Sequence, residues 1–448
     1  MEAIASYFRF GERGTTLGTE VRAGVTTFMV MAYIIFLNPN IIAGPLQLDP
    51  VAVAAGTALI AGIMTIAMGV VGKYPIAIAA GLGLNAIVAF QLTGLGLDAA
   101  GAMGVIVLEG LVILVLVLVG FREAVMNAVP LSLKRAIAVG IGLFILFIGF
   151  VDGGLIVQGV PVVTIAFPST PPQFIFLIGL LITFGLFVLR VRGALIISIV
   201  ATAALALLTG VTQVPTELAL TPNFSTLGLG LQDPLQVFTR LPIIVALLTI
   251  FAIMLTDFFD TMGTVTGIAA EAGLARPDGT VPGVGRVLAV DSVAAIVGGA
   301  GGVSSNTSYI ESAAGVAEGG KTGFASVVTG VLFLLAVLVA PLTQLIPLQA
   351  TAPALVLVGY LMFTLIRDIP VSDVEEGLPA LLTMILMPLT FNITVGIGAG
   401  FVAWVFIKVV RRKFGEIHWL MWLVAIAFVV YFLSSFIQGV VSPVPPAG

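Results

Sequence analysis

The chain has 448 residues, of which 59% are hydrophobic and 9% charged, with a formal net charge of −4. Soluble domains are roughly 45–50% apolar and about 25% charged, and a mean hydropathy of +1.21 excludes that class. The absence of cysteine removes disulfides, thiol nucleophiles and cysteine metal ligands.

The apolar residues gather in long runs, such as VIVLEGLVILVLVLVG at 105–120. In lipid the backbone must satisfy its own hydrogen bonds, so such runs read as membrane-crossing helices. The short alternating segments of a membrane β-barrel are absent. The expected fold class is therefore an all-α polytopic membrane protein. Residues 1–19 carry Glu2, Arg9, Glu12 and Arg13 and no apolar core, so no cleavable signal peptide is expected.

In chain order, spans are predicted at 20–38, 51–71, 77–92, 101–120, 132–150, 174–189 and 193–209. A polar, proline-containing connection occupies 210–241. Seven more spans follow at 242–268, 285–300, 304–318, 322–345, 352–367, 377–391 and 395–410. A further apolar run, 417–437, either crosses the membrane or lies against it with Trp419 and Trp422 at the interface. With the N-terminus in the cytoplasm, all lysines and arginines except Arg240 fall on the cytoplasmic side, Arg122 included. That is the positive-inside pattern of a cell-membrane protein.

Seven spans per half is an odd number, so residues 1–209 and 242–411 run in opposite directions. They form two inverted repeats joined by 210–241 and followed by 412–448. The third segment of each half is short and rich in small residues: AAGLGLNAIVAF (79–90) and SSNTSYIESAAGV (304–316). Paired interrupted segments of this kind point to a binding site near the membrane midplane.

Few acids lie inside the spans, and such residues usually face a cavity or pathway. Asp257 and Asp260 in TDFFDTMGT (256–264) are spaced i, i+3 on one helix and expected to share a face. Carboxylates that close repel, so one of them holds a proton at neutral pH. Ligand binding with proton coupling is the first reading; a carboxylate pinning a neighbouring helix is the other. Glu311 either bonds a substrate directly or is satisfied by backbone amides of the opposing segment. Asn85 offers both a donor and an acceptor, or packs helices. Glu109 has no paired motif, and Asp291 is expected to pair with Arg286 or Lys321. Glu318 and Lys321 read as a solvated helix end. Phe28, Tyr33, Phe90, Phe258, Phe259 and Tyr309 either stack on a planar ligand or pack. The site holds carboxylates and an amide but no Arg, Lys or His. It therefore suits a cation or a neutral molecule rich in N–H donors, such as the edge of a purine.

The stretches MAYIIFLNP (31–39), GLGLNA (81–86), TDFFDTMGT (256–264), TSYIESAAGVAEGGKTG (307–323) and ATAPALVLVG (350–359) resemble the AzgA-type purine permeases. These belong to the uracil/xanthine permease superfamily of nucleobase–cation symporters. The resemblance runs over nearly the whole chain. It implies fourteen spans in two inverted repeats. Spans 1–4 and 8–11 would form a core domain, spans 5–7 and 12–14 a gate domain, with short β-strands in spans 3 and 10. It implies uptake of adenine, guanine or hypoxanthine together with protons, by alternating access, and a homodimer. It places Asn85, Asp257 and Glu311, with Thr307 and Ser308, at the substrate. The proton would fall to Asp257, Asp260 or Glu311. No catalytic residue, metal, cofactor or nucleic-acid partner is implied. The rival readings are uracil or xanthine transport, an anion exchanger or a channel. An enzyme is not expected, since no metal cluster and no Ser–His or Cys–His set is present.

Overall fold

The computed structural model describes residues 2–120, 128–159, 162–215, 221–276 and 281–441; Arg122 lies outside them, as do parts of the 210–241 connection and of the C-terminal tail. The N-terminus forms two short helices, α1 (Glu2–Tyr7) and α2 (Phe10–Arg13). Then come α3 (Leu17–Met31), α4 (Ile34–Leu46) and α5 (Pro50–Ala67), which continues as a wider π turn over Met68–Gly72. Strand β1 (Ile78–Ala80), α6 (Leu82–Ala86) with a π turn to Leu92, and α7 (Ala99–Leu118) complete the first group. Next are α8 (Leu131–Asp152), α9 (Pro171–Val188), α10 (Ala194–Leu208), α11 (Gln236–Arg240), α12 (Ile243–Glu271) and α13 (Val284–Ala300). After a strand at Asn306–Ser308 come α14 (Ala313–Ala317), α15 (Gly323–Ala336), α16 (Leu348–Phe363), α17 (Val374–Thr390), α18 (Ile393–Val410) and α19 (Trp419–Val441).

Among the described residues, nine helical stretches are long and apolar enough to cross a membrane. Their outward faces stay apolar, with Leu118 71% and Val188 75% exposed. A water-soluble surface does not carry so continuous an apolar band. The protein is a multi-pass membrane protein.

Several helices begin where short polar side chains satisfy the free N–H groups of the first turn. Asp49 accepts from the Val51 N–H, Thr322 from Phe324 and Asn392 from Val395. At α15 the fully buried Glu20 adds a second cap, accepting from the N–H groups of Lys321, Thr322 and Ala325 at 2.9, 3.3 and 3.2 Å.

Two packing groups emerge. In one, α7 packs on α13, and α15 on α3 and α5. In the other, α8 packs on α16 and α17, α17 on α18, and α9 and α10 on each other and on α16. Glycines set the closest approaches. A Cβ at Gly323 would lie 2.0 Å from the Gly69 carbonyl oxygen, and one at Gly359 would lie 2.5 Å from that of Gly142. Small residues at such crossings let helix backbones touch, the packing that holds helices together in lipid.

Three features depart from the sequence expectation. The first helical stretch does not end at 38 but runs from Leu17 to Leu46, bent at Ala32–Tyr33. The connection 210–241 is not a free linker. Asp98 before α7 receives the Gln236 amide at 2.7 Å, and the Gly101 N–H and that amide hold the Asp98 carboxyl below the usual carboxylate range. An exposed hairpin, β2 (Ile156–Gln158) with β3 (Val163–Ile165), was unforeseen. From Trp419 on, the run 417–437 is a single helix packed on α12 and α18, burying Met421, Ala425 and Phe428.

Gly323→Ala is expected to lower stability by about 1–3 kcal/mol, because the added methyl meets backbone. Gly185→Ala, whose Cβ would meet nothing within 4 Å, should be neutral. Thermal melting of the two detergent-purified variants, followed by the monodisperse fraction, checks this; equal midpoints would contradict the packing argument.

Candidate functional site

The chain leaves α13 through GGVSSN (301–306), a turn that needs glycine. Gly302 has φ +70°, and a Cβ there would lie 2.7 Å from the Thr226 carbonyl oxygen. The turn delivers β4 (Asn306–Ser308) antiparallel to β1, with Ala79 opposite Thr307. All six strand residues are buried. A two-stranded ribbon has two outer edges, and buried edges must find partners. On the β1 side, the Thr65 hydroxyl accepts from the Ile78 N–H and donates to the Ile78 carbonyl, both at 2.9 Å. Ser312 Oγ accepts from the Ala77 N–H at 2.9 Å. On the β4 side, Asp291 accepts from the Ser308 N–H at 2.9 Å and its hydroxyl at 2.7 Å.

Each strand runs into a short helix, α6 or α14, and beside this junction lies a cavity. Its polar lining is Tyr33, Asp260, Thr264, Thr307, Ser308 and Glu311. Its apolar lining includes Leu82, Ile310 and, from α16, Val358 and Met362. The cavity therefore sits where the two packing groups meet. Glu311 Oε1 accepts from the Tyr33 hydroxyl at 2.8 Å. Asp260 opens into the cavity, and among the described residues no donor pairs with it. No Lys, Arg or His lines the space.

The structure brings Glu311, Asp260, Thr307 and Ser308 together at this cavity and leaves Asp257 and Asn85 out of it. Asp257 and Asp260 do not share a face in the sense expected. Three residues advance a helix by 300°, so the two diverge by about 60°. Asp260 and Thr264, four residues on, face the cavity, whereas Asp257 and Thr261 face the interior. Thr261 Oγ1 is 2.7 Å from Thr307 Oγ1 and donates to Asp291 Oδ2 at 2.6 Å. Asp257 is fully buried, and its Oδ2 accepts from Ser305 Oγ at 3.2 Å. Asn85 is fully buried, with neither amide atom paired among the described residues.

Asp291 does not pair with Arg286 or Lys321; three hydrogen bonds to Thr261 and Ser308 occupy it, which anchors β4. Glu318 is not a free helix end, since it forms ion pairs with Arg22 and Arg192. Of the aromatics, Tyr33 and Tyr309 reach the cavity. Phe28 packs edge-on against Phe333, and Phe90 against Phe391. Sequence reading missed Thr264, Val358 and Met362. The i+4 spacing of Thr264 from Asp260 was a usable signal, but nothing in ATAPALVLVG marked which of its apolar side chains would face the opposite group.

A family profile of xanthine/uracil permease type, described as the Permease family, matches residues 18–399. The guanine/hypoxanthine permease PbuG of Bacillus subtilis (strain 168) is 38% identical over 445 residues, covering 96% of this chain and 99% of its own. The adenine permease AdeQ of Escherichia coli (strain K12) is 37% identical over 427 residues, covering 95% of each chain. Among solved structures, the transmembrane domain of a cyanobacterium bicarbonate transporter, BicA, shares the fold. Its TM-score is 0.64 at 14% identity, over 86% of this chain and 97% of that one. The protein is a transport protein rather than an enzyme, and it belongs to the xanthine/uracil permease family.

Proposed function

We propose that this protein imports purine nucleobases (hypoxanthine, guanine or adenine) across the cell membrane by proton symport. The relatives named for these bases support the substrate class. The observation that carries the reading is the cavity itself. Two carboxyl groups, Asp260 and Glu311, open into a buried space that no cationic side chain lines. Such a space repels anions and accepts N–H groups, and a carboxylate takes two parallel N–H bonds from a flat heterocycle edge. An anion carrier on the same fold would want a positive group where these carboxyls stand.

The chain is read as fourteen segments, with 1–209 and 242–411 as inverted repeats and the N-terminus in the cytoplasm. Segments 1–4 and 8–11 form a core, segments 5–7 and 12–14 a gate. On this reading the cavity lies between them, with Val358 and Met362 as the gate wall. Sliding core against gate would open the same site first outward, then inward. The protein is expected to act as a homodimer.

Replacing a charge-assisted acceptor costs roughly 1.5–3 kcal/mol, so Glu311→Gln and Asp260→Asn should each weaken hypoxanthine binding by about 10- to 100-fold. Tyr33→Phe removes the hydrogen bond that orients Glu311 and no carboxyl group, and the expected loss is about fivefold. Radiolabelled hypoxanthine binding to the purified variants measures all three, and wild-type affinity in Glu311→Gln would refute the site. In proteoliposomes, hypoxanthine should accumulate only when the outside is more acidic than the inside. A protonophore should collapse the accumulation, and accumulation indifferent to the gradient would refute proton symport.

A further inference from the structure

A second pair of carboxyl groups lies outside the cavity. Glu109 comes from α7, whose other described neighbours in the sequence are aliphatic residues and glycine. Asp257 comes from α12. Helix α7 packs on α12, which sets Glu109 beside Asp257 and the Ser305 turn, and both carboxyl groups are fully buried. Ser305 donates to Asp257 Oδ2. Neither Glu109 oxygen meets a donor among the described residues, and neither does Asp257 Oδ1. Three buried acceptor atoms on two packed helices are thus without a donor, and the one hydroxyl beside them, Ser305, is given to Asp257 Oδ2.

The surroundings supply no counter-charge. From α13 comes Asp291, whose oxygens are committed to Thr261 and Ser308. From α12 comes Asp260, which opens into the cavity. The turn before β4 contributes Ser305. From the π turn after α6, Gln91 is engaged with Thr394 and Ile393. From the connection packed on α7, Gln236 is held by Asp98 and Asp233. The acidic groups near the pair are thus Asp291 and Asp260, and no ion pair reaches Glu109 or Asp257 among the described residues.

Two buried negative charges without a partner are not tolerated; such groups neutralise instead. One proton held as O–H···O⁻ supplies the donor that the geometry lacks. We propose that Glu109 and Asp257 together bind the coupling proton, at a site separate from the base cavity. This inference rests on the purine–proton symport reading above. With the proton in place the pair can be enclosed; without it, the two charges repel and favour a state in which water reaches them. The pair communicates with the base site by two short routes. Asp257 is one helical turn from Asp260 on α12. Ser305, bonded to Asp257, immediately precedes β4, which carries Thr307 and Ser308 into the cavity wall.

The test separates coupling from base handling. Purified protein is reconstituted in vesicles containing a trapped pH dye. Two quantities are read: hypoxanthine accumulation under an imposed acid-outside gradient with its proton influx, and exchange of labelled for unlabelled hypoxanthine without a gradient. Glu109→Gln imitates a permanently protonated partner. It is expected to lose accumulation and base-driven proton influx at least tenfold, while exchange persists and no longer varies between pH 5.5 and 8. Glu109→Asp, which keeps a carboxyl, should recover part of the accumulation. Wild-type accumulation in Glu109→Gln overturns the proposal. Loss of both exchange and hypoxanthine binding in Glu109→Gln also overturns it, since the pair would then serve only the fold. If the unmodified protein itself accumulates hypoxanthine without regard to the gradient, the symport reading has failed instead, an outcome read without any variant.

Discussion

Everything at the centre of this molecule depends on how two interrupted helices satisfy their backbone. The β1–β4 ribbon is buried on all sides, so each N–H and C=O on its edges needs a partner that water cannot supply. Neighbouring helices provide these partners through side chains: Thr65 from α5, Asp291 from α13, and Ser326 from α15, whose hydroxyl bonds the carbonyls of Tyr74 and Ile76. Removing any one would leave a buried polar group unmatched, a cost of about 1–3 kcal/mol. The ribbon is thus a rigid element held from outside, and it fixes where Thr307, Ser308 and Glu311 stand.

That rigidity gives the five acids around the ribbon distinct duties. Asp291 is saturated with hydrogen bonds and works as an anchor. Asp260 and Glu311 open to the cavity and can meet a ligand. Asp257 and Glu109 face inward and meet each other. A single helix, α12, links all three tasks, because Asp257 and Thr261 face inward while Asp260, between them in the sequence, faces the cavity. On the proposed reading, a base in the cavity and a proton inside the first packing group are sensed by the same short stretch of chain. This is a compact way to couple two ligands without their touching.

Much of the architecture could be read from the residues. Long apolar runs marked the spans, and the small-residue stretches 79–90 and 304–316 marked the interruptions. The acid at 311 stood out because it sits in a stretch of Gly, Ser, Thr and Ala within a chain otherwise built of long apolar runs. What could not be read was direction. A spacing of three residues leaves two side chains about 60° apart, which is close enough to suggest one face and far enough to separate Asp257 from Asp260 once β4 packs on α12. Glu109 was similarly opaque, since its partners lie some 150 and 200 positions away in the sequence and only the folded chain brings them together. The connection 210–241 looked like a linker because it is polar, yet Gln236 and Asp98 tie it to α7.

The most direct test of the account is the affinity of the purified protein for hypoxanthine and for its N-methylated analogues. If Asp260 and Glu311 hold the base by accepting its N–H groups, replacing a gripped N–H by N–CH3 should weaken binding by at least tenfold while leaving ring shape nearly unchanged. Equal affinity for hypoxanthine and for every methylated form would contradict it.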